Sequence, residues 1–286
     1  MFLLEKGDCM NKELTKQFER DIIKKYRGSL WTKFIKGIKK YNMIQDGDKI
    51  AIAMSGGKDS LLLAKLFQEL KKHPLVDFDF EFISMDPGFS DENLKMHFEN
   101  AEKLGVPLNI SRSDIFEIVG KIANDYPCYM CARMRRGFLY NMAKEKGCNK
   151  LALGHHFDDV IETTMLNVLY AGTFKTMLPK VKSKNFEGLE LIRPMYLIKE
   201  TDIKRIMNSN GIVTMDCGCE ITACSTSSKR YRTKLLIEEL VKEHKDIDKN
   251  IFRAAENVNL DSIYRWVKDG EEYTQYDDWD DIEEAE

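Results

Sequence analysis

One stretch of the chain limits its fold class more than any other. Residues 48–54 are short and mainly apolar, residues 55–57 are Ser-Gly-Gly, and residues 58–70 repeat apolar side chains with a helical period. A strand that runs through a tight glycine turn into a helix begins a strand–helix–strand unit. Parallel strands require such crossovers, so this stretch predicts a parallel sheet covered by helices.

The remainder of the chain repeats the same alternation. We expect strands at 78–85, from 107, at 150–153, 189–196 and 212–215, and helices at 92–104, 132–147, 154–170 and 199–210 between them. This order favours an α/β fold with a doubly wound parallel sheet. Ligands of such sheets bind beyond the C-terminal ends of the strands.

The glycine turn has the composition of an anion site. Paired glycines let backbone N–H groups close around an anion, and the following helix N-terminus favours negative charge. Without the four-residue spacer between glycines of a Walker A loop, the turn predicts a grip on phosphate but not γ-phosphate transfer. The alternative is an ordinary strand-to-helix turn with N-capping serines. The candidate residues are Ser55, Gly56, Gly57, Lys58, Asp59 and Ser60.

Acidic and imidazole side chains cluster after the strand at 150–153. His155, Asp158, Asp159 and Glu162 are three or four residues apart, so we expect them on one helix face. Carboxylates there can hold Mg²⁺ beside phosphates or move a proton. The alternative is helix-capping acids beside a surface histidine.

The cysteines form two groups with a pattern typical of metal binding. Cys128 and Cys131 are three residues apart and can chelate one metal centre, and Cys217, Cys219 and Cys224 lie within eight residues and can complete the set. A thioredoxin-type redox pair is the alternative for the first group. The isolated Cys9 and Cys148 are interpreted as ordinary thiols.

Charge is distributed unevenly along the chain. Residues 269–286 contain ten acidic residues and no basic one, so the rest of the chain is basic although the formal net charge is −3. Near the N-terminus, apolar residues recur every four positions and form a stripe along a helix. The basic residues off this stripe form either a solvated face or a phosphate-binding face. The stripe comprises Leu14, Phe18, Ile22, Tyr26, Leu30, Phe34 and Ile38, and the off-stripe cations are Lys12, Lys16, Arg20, Lys24, Lys36 and Lys40.

Several motifs together resemble one family, the tRNA 2-thiocytidine synthetases of the PP-loop ATP pyrophosphatase superfamily. The resemblance spans roughly residues 20–240. Its pieces are Tyr41-Asn42-Met43-Ile44, Gly47-Asp48, Ser55–Ser60, Cys128 and Cys131 with Arg135-Arg136-Gly137, Leu153–Asp159, and Cys224 with Arg232.

This resemblance implies an ATP-dependent sulfurtransferase that converts an anticodon-loop cytidine to 2-thiocytidine. It implies ATP, Mg²⁺ and a [4Fe–4S] cluster as cofactors, and tRNA and a sulfur donor, a cysteine desulfurase or free sulfide, as partners. The implied cluster ligands are Cys128, Cys131 and Cys224, and the implied catalytic residues are Lys58, Asp59, Asp158 and Asp159. Met85, Gly154 and His155 join residues 55–60 at the nucleotide, and Arg135, Arg136, Lys175 and Arg232 are candidate RNA contacts.

Three other functions fit parts of this pattern. An amidating or lysine-ligating PP-loop enzyme shares the loop, a sulfurtransferase for another nucleoside or a small molecule shares all but RNA binding, and an iron–sulfur regulator binds ATP without thiolation. Charged residues within the first eight positions interrupt the apolar run that a signal peptide needs, so we expect none. The apolar runs along the chain are too short for a membrane span. We expect a cytoplasmic protein that can form a homodimer.

The organisation that we expect has four parts. They are a basic helical segment at 1–45, the nucleotide-binding and catalytic domain at 46–228, C-terminal helices at 229–268, and an acidic, disordered tail at 269–286.

Overall fold

The computed structural model describes residues 2–122, 127–214 and 229–275. Ten helices and eight strands lie in these ranges. The helices are α1 (Phe2–Arg20), α2 (Trp31–Lys40), α3 (Lys58–Lys72), α4 (Asp91–Lys103), α5 (Ile115–Ile122), α6 (Pro127–Glu145), α7 (Phe157–Ala171), α8 (Glu200–Ser209), α9 (Lys229–Glu243) and α10 (Ile247–Ala254). The strands are β1 (Asp48–Met54), β2 (Phe78–Asp86), β3 (Ile110–Arg112), β4 (Lys150–Ala152), β5 (Lys180–Lys182), β6 (Glu190–Ile192), β7 (Arg265–Lys268) and β8 (Glu271–Thr274).

Six strands form the central sheet in the order β3-β2-β1-β4-β6-β5. All neighbours pair in parallel except β5, which runs antiparallel to β6 at one edge. The predicted α/β fold with a doubly wound parallel sheet is therefore confirmed, with one antiparallel edge strand added. Strand β1 lies between β2 and β4, so the turns that follow these three strands meet at one end of the sheet.

The N-terminal stripe packs into the same core as the sheet. Phe18, Ile22, Leu30 and Phe34 are fully buried, and the Phe34 ring meets Phe67 of α3 edge-on at 5.7 Å. Between α1 and α2, residues Asp21–Lys25 form a π-helical turn. A four-residue spacing exceeds the 3.6-residue α-helical period, and a π-turn accommodates that excess.

Two predicted strands differ in the structure. The strand expected at 189–196 ends at Ile192, because Pro194 follows and residues 194–197 form a turn. The strand expected at 212–215 is wrong for its described part, since residues 212–214 are irregular. Val213 is 73% exposed, and its carbonyl accepts a side-chain hydrogen bond from Asn100 at 2.8 Å instead of a strand partner.

The C-terminal region also departs from its prediction. Helices α9 and α10 occupy 229–254, but residues 265–274 form the antiparallel hairpin β7–β8 in place of a helix and a disordered tail. Asp269 and Gly270 both have positive φ, as the tight turns of hairpins require, and Trp266 stacks on Tyr273 at 5.8 Å. The rest of the predicted tail lies outside the described residues.

Within the described ranges, no helix has both the length and the apolar character needed to cross a bilayer.

Candidate functional site

The turn between β1 and α3 is a preformed cradle. Gly56 has φ of +80°, which an L side chain rarely adopts. The backbone N–H of Ser55 donates to Ser60 Oγ at 3.1 Å, and that hydroxyl donates to the Gly57 carbonyl at 2.9 Å. No side chain caps the start of α3 at Gly57, so the first amides of the helix are left for a ligand.

The end of β4 closes against this cradle. Gly154 approaches α3 so closely that a Cβ there would lie 3.2 Å from the Asp59 backbone carbon. The nearby His156 lies beside Asp59, with its Nε2 3.8 Å from Asp59 Oδ1. A side chain at position 154 would therefore require the start of α3 to shift by a few tenths of an ångström.

Polar atoms without internal partners gather here. Of five buried side-chain nitrogen and oxygen atoms that lack a hydrogen bond in the described residues, four are Asp59 Oδ1, His155 Nδ1, His156 Nδ1 and Arg193 Nε. Buried polar atoms in proteins are nearly always paired, so this group indicates the place of a polar ligand. Burial raises the pKa of Asp59 against the opposing effects of His156 and Lys58, and burial lowers the pKa of His155 to about 4.

Lys58 does not point freely into the cradle. Its Nζ lies 3.1 Å from Asp59 Oδ2 and 3.1 Å from Glu200 Oε1. Burial would lower the pKa of Lys58, but these two carboxylates raise it, so the side chain is an ammonium ion. Glu200 also binds Lys204 and Lys234, and these cations outweigh burial and hold its pKa well below the usual value.

The carboxylates of α7 already have protein partners. Asp158 Oδ2 accepts the Glu200 backbone N–H at 2.6 Å, which joins the starts of α7 and α8. Asp159 accepts the His156 backbone N–H at 3.0 Å and pairs with Arg230 of α9 at 2.8 Å. Burial would raise the pKa of Asp159, but His156, His155 and Arg230 hold it below its usual value.

Cys131 lies beside the end of β2. It packs with Met134 and Phe138 of α6 against the buried side chains of Met85 and Ile115. Met85 is the second-to-last residue of β2, next to the strand that carries the loop. A half-buried thiol among apolar side chains suits a sheltered metal–sulfur group.

Some predicted ligands lie outside the described side chains, and the candidate RNA contacts lie on several elements. Cys128 is three residues before Cys131 on α6, but its side chain is outside the described part, as is all of Cys224 together with Cys217 and Cys219. Among the described side chains, no group of three His, Cys, Asp or Glu residues could hold a metal ion. Arg135 of α6 is half-buried, and Arg136, Lys175 and Arg232 are exposed on α6, on the segment after α7 and on α9.

Sequence reasoning missed four residues of this site, which are His156, Arg193, Glu200 and Arg230. Arg193 directly follows the last residue of β6 and Glu200 opens α8, so both positions satisfy the rule that ligand sites lie beyond strand ends. Arg230 carried no such signal. The motif residue Asp48 is structural instead, since it accepts the Gln45 N–H at 2.6 Å and pairs with Lys150 at the opposite end of β1.

The donor sets fit the groups that the sequence implies. The glycine cradle with Lys58 suits a polyphosphate, and Asp59 Oδ1, an oxygen with no hydrogen-bond donor among the described residues, suits Mg²⁺ at that polyphosphate. The surroundings of Cys131 suit an iron–sulfur group, although the remaining cluster ligands fall outside the described side chains.

Comparison with known proteins agrees with this geometry. Residues 30–216 match the family model of the PP-loop domain. The chain is 35% identical over 225 residues to the tRNA-cytidine(32) 2-sulfurtransferase of Syntrophotalea carbinolica, covering 78% of this chain and 86% of that protein. With the protein of that name from Anaeromyxobacter dehalogenans, identity is 34% over 259 residues, covering 87% and 86%.

One solved structure shares the fold. The U34-tRNA thiolase NcsA from Methanococcus maripaludis, solved with its [4Fe-4S] cluster, superposes with a TM-score of 0.60 at 23% identity and covers 80% of each chain.

Proposed function

Because the chain belongs to the PP-loop domain family and, within it, to the tRNA-cytidine 2-sulfurtransferases, we propose that it thiolates a tRNA cytidine at the expense of ATP. The substrate base is an anticodon-loop cytidine and the product is 2-thiocytidine. The observation that carries the proposal is the position of the glycine cradle, the unpaired polar atoms and Cys131 at the same end of the adjacent strands β1, β2 and β4.

Adenylation supplies the leaving group that this chemistry requires. The oxygen at C2 of cytidine cannot leave as oxide, so it first attacks the α-phosphorus of ATP and releases pyrophosphate. A sulfur nucleophile then adds at C2, and the bond from C2 to the original oxygen breaks, so that this oxygen departs with AMP. Both steps pass through anionic states, which explains why the site combines backbone amides with cations.

Residues of the cradle bind the nucleotide. The amides of residues 56–60 and the hydroxyls of Ser55 and Ser60 bind phosphate oxygens, and Lys58 exchanges its contact with Glu200 for the pyrophosphate. Met85, Gly154 and His155 flank the nucleotide from β2 and β4. His155 is neutral at physiological pH, so it offers a lone pair or an N–H without adding charge.

Asp59 is the carboxylate best suited to contact Mg²⁺, because Asp158 and Asp159 are engaged by Glu200 and Arg230. When bound, Mg²⁺ offsets charge on the released pyrophosphate. Asp158 fixes the junction between α7 and α8, and Asp159 places a negative charge beside His155 and His156. They are positioning residues in this proposal.

Cys128, Cys131 and Cys224 are the proposed ligands of a [4Fe–4S] cluster. Their three thiolates would hold the cluster, and the cluster would supply sulfur-binding chemistry without consuming a protein cysteine. The side chain of Cys131 packs against Met85, so its thiol borders the proposed nucleotide site. The sulfur comes from a cysteine desulfurase or from free sulfide.

The target base leaves its stack to reach this site, which costs least in a single-stranded loop. Arg135, Arg136, Lys175 and Arg232 are the proposed contacts to RNA around the entrance. Cytoplasmic location and a homodimeric state complete the proposal.

The test is anaerobic purification, counting of iron and sulfide, and nucleoside mass spectrometry of bulk tRNA incubated with the protein, ATP and sulfide. We expect 2-thiocytidine from the wild type, loss of iron and product with retained ATP binding in Cys131→Ser, and retained iron without product in Lys58→Ala. Cys148→Ser is the matched control, because Cys148 is buried in a separate apolar cluster.

Two results would contradict the proposal. A wild type that contains the cluster yet forms no thiolated nucleoside and releases no AMP would be an iron–sulfur regulator. Sulfur transfer to a nucleoside or small molecule without any tRNA requirement would replace the substrate.

A further inference from the structure

Cationic side chains from three separate elements line one concave surface outside the nucleotide site. Residues three and four apart on α2 share a face, as do two residues four apart on α10, and a lysine precedes α8. The cavity between them has a volume of about 320 Å³. We name it the basic groove, and its cations are Lys33, Lys36, Lys40, Lys199, Lys249 and Arg253.

Internal ion pairs neutralise only part of this charge. Lys40 pairs with Glu256 at 2.6 Å, Lys249 with Asp246 at 2.6 Å, Lys33 with Asp202 at 3.4 Å, and Lys199 with Asp248. Within the described ranges, Lys36 and Arg253 have no acidic partner at ion-pair distance, so the groove retains positive charge. Like charges that converge on a concave surface repel one another until a polyanion fills it.

The floor of the groove is apolar and well packed. The rings of Phe157 and Phe252 stack at 4.9 Å, and Lys199 lies 5.6 Å from the centre of the Phe157 ring. Leu197 completes the floor. The cations therefore surround a packed apolar surface.

The groove adjoins the nucleotide site at two chain junctions. Phe157 lines the groove and is followed by Asp158 and Asp159, which face the starts of α8 and α9. Lys199 lines the groove and is followed by Glu200, which contacts Lys58 of the loop. A strand of RNA lying in the groove would therefore run past the end of the sheet where the chemistry is proposed.

We propose that the basic groove between α2, α8 and α10 binds the RNA sugar–phosphate backbone and so guides the substrate loop to the nucleotide site. This inference rests on the proposed function, because it assigns a surface to the proposed tRNA substrate.

The test compares two doubly substituted proteins. The groove variant is Lys36→Gln with Arg253→Gln. The matched control is Lys95→Gln with Lys184→Gln, which removes the same charge from two exposed lysines on α4 and between β5 and β6. The measurements are affinity for bulk tRNA by filter binding at several KCl concentrations, ATP affinity by calorimetry, and the thermal unfolding midpoint.

We expect the groove variant to bind tRNA about tenfold more weakly at low salt, and the slope of log K against log salt to shrink by about 1.4, since each phosphate contact to a single strand contributes about 0.7. ATP affinity and the unfolding midpoint stay at wild-type values because neither residue contacts the loop. The control keeps wild-type tRNA affinity.

Three outcomes overturn the inference. Equal losses in both variants would mean that only net charge matters, and no loss in either would mean that the groove does not touch RNA. Wild-type binding to anionic phosphatidylserine vesicles that the groove variant loses, with tRNA binding unchanged, would make the partner a membrane surface. A wild type with no affinity for tRNA would instead refute the proposed function itself.

Discussion

At the scale of single residues, the polar atoms that lack internal partners identify the site. Asp59, His155 and His156 offer buried atoms without hydrogen bonds among the described residues, and Arg193, which follows β6, adds a buried N–H. In the part of the chain that the structure describes, His97 Nδ1 is the one other buried side-chain nitrogen or oxygen without a hydrogen bond. Such atoms cost stability in the free protein, and a bound ligand recovers that cost.

One buried histidine outside this group, His97 of α4, is linked through Ser84 of β2 to the end of β1. Ser84 Oγ donates to the Met54 carbonyl at 2.9 Å and lies 3.0 Å from His97 Nε2 of α4, directly before the glycine cradle. Burial lowers the pKa of His97 to about 4 from its ordinary 6.5. His97 therefore stays neutral where an unfolded chain would already protonate it.

This difference predicts a pH dependence of stability. The unfolded chain binds the extra proton below about pH 6.5, so the contribution of His97 is complete above that pH and is lost as the pH falls towards 4. The loss at pH 4 is about 3 kcal/mol in the free energy of unfolding. Urea unfolding from pH 7 to 4 measures it, and His97→Gln flattens the dependence.

His73→Gln is the control, because His73 is exposed at the end of α3. An identical pH dependence in His97→Gln and the wild type would show that the buried imidazole does not carry the effect.

The contiguous motif could be predicted and its distant partners could not. Residues 55–60 follow one another, so their common site is written in the local order of the chain. Glu200 meets Lys58 only because β6 lies beside β4 in the sheet, and Arg230 meets Asp159 only because α9 packs on α7. Those contacts depend on topology, which the periodicity of the chain does not specify.

At the scale of elements, α9 is attached to the site by paired charges. Arg230 binds Asp159 at 2.8 Å and Glu162 at 2.9 Å, and Lys234, one turn later, binds Glu200 at 2.6 Å. Burial raises the pKa of Glu162 despite Arg230, so this carboxylate depends on its partner. The single helix α9 thus supplies the cations that pair with carboxylates of both α7 and α8.

Arg230→Gln should therefore destabilise the protein. It leaves two partly buried carboxylates without their cation, and we expect a loss of about 1–2 kcal/mol in the free energy of unfolding by urea titration. Arg232→Gln on the same helix is the control, because Arg232 is exposed and has no ion pair within the described ranges. Equal stability of the two variants would show that the Arg230 contacts contribute nothing.

Elements with a strong period were predicted well, and short ones were not. The helices at 58–72 and 200–209 agree with the structure within a few residues, since their apolar repeats are long. The hairpin turn Asp269-Gly270 was present in the sequence but was obscured by the acidic residues around it. Strand β5 has three residues, too few for a pattern to emerge.

At the scale of the whole molecule, charge is segregated. The basic groove lies on α2, α8 and α10, whereas the last eleven residues contain seven acidic residues and no basic one. The formal net charge of −3 therefore describes neither part. The electrostatic attraction of a polyanion depends on the charge of the basic groove and on that of the acidic last eleven residues.

A variant that ends at Gln275 should bind tRNA more tightly. Removing seven acidic residues turns the formal net charge positive, and we expect affinity to rise several-fold at about 50 mM salt, with the difference shrinking near 300 mM as screening increases. Filter binding measures both values. A full-length variant with these acids changed to amides should behave alike; unchanged affinity in both would exclude long-range repulsion by these residues.

The order of the strands has one more consequence. From β1 the chain winds outward to β2 and β3, and it then crosses back to β4, runs on to the edge strand β5 and returns to β6 between them on the other side. The connections therefore diverge between β1 and β4, and a cleft opens there by topology alone. A cleft of this origin persists whatever side chains line it, so its lining can change over evolution to accept a different guest while the scaffold stays the same.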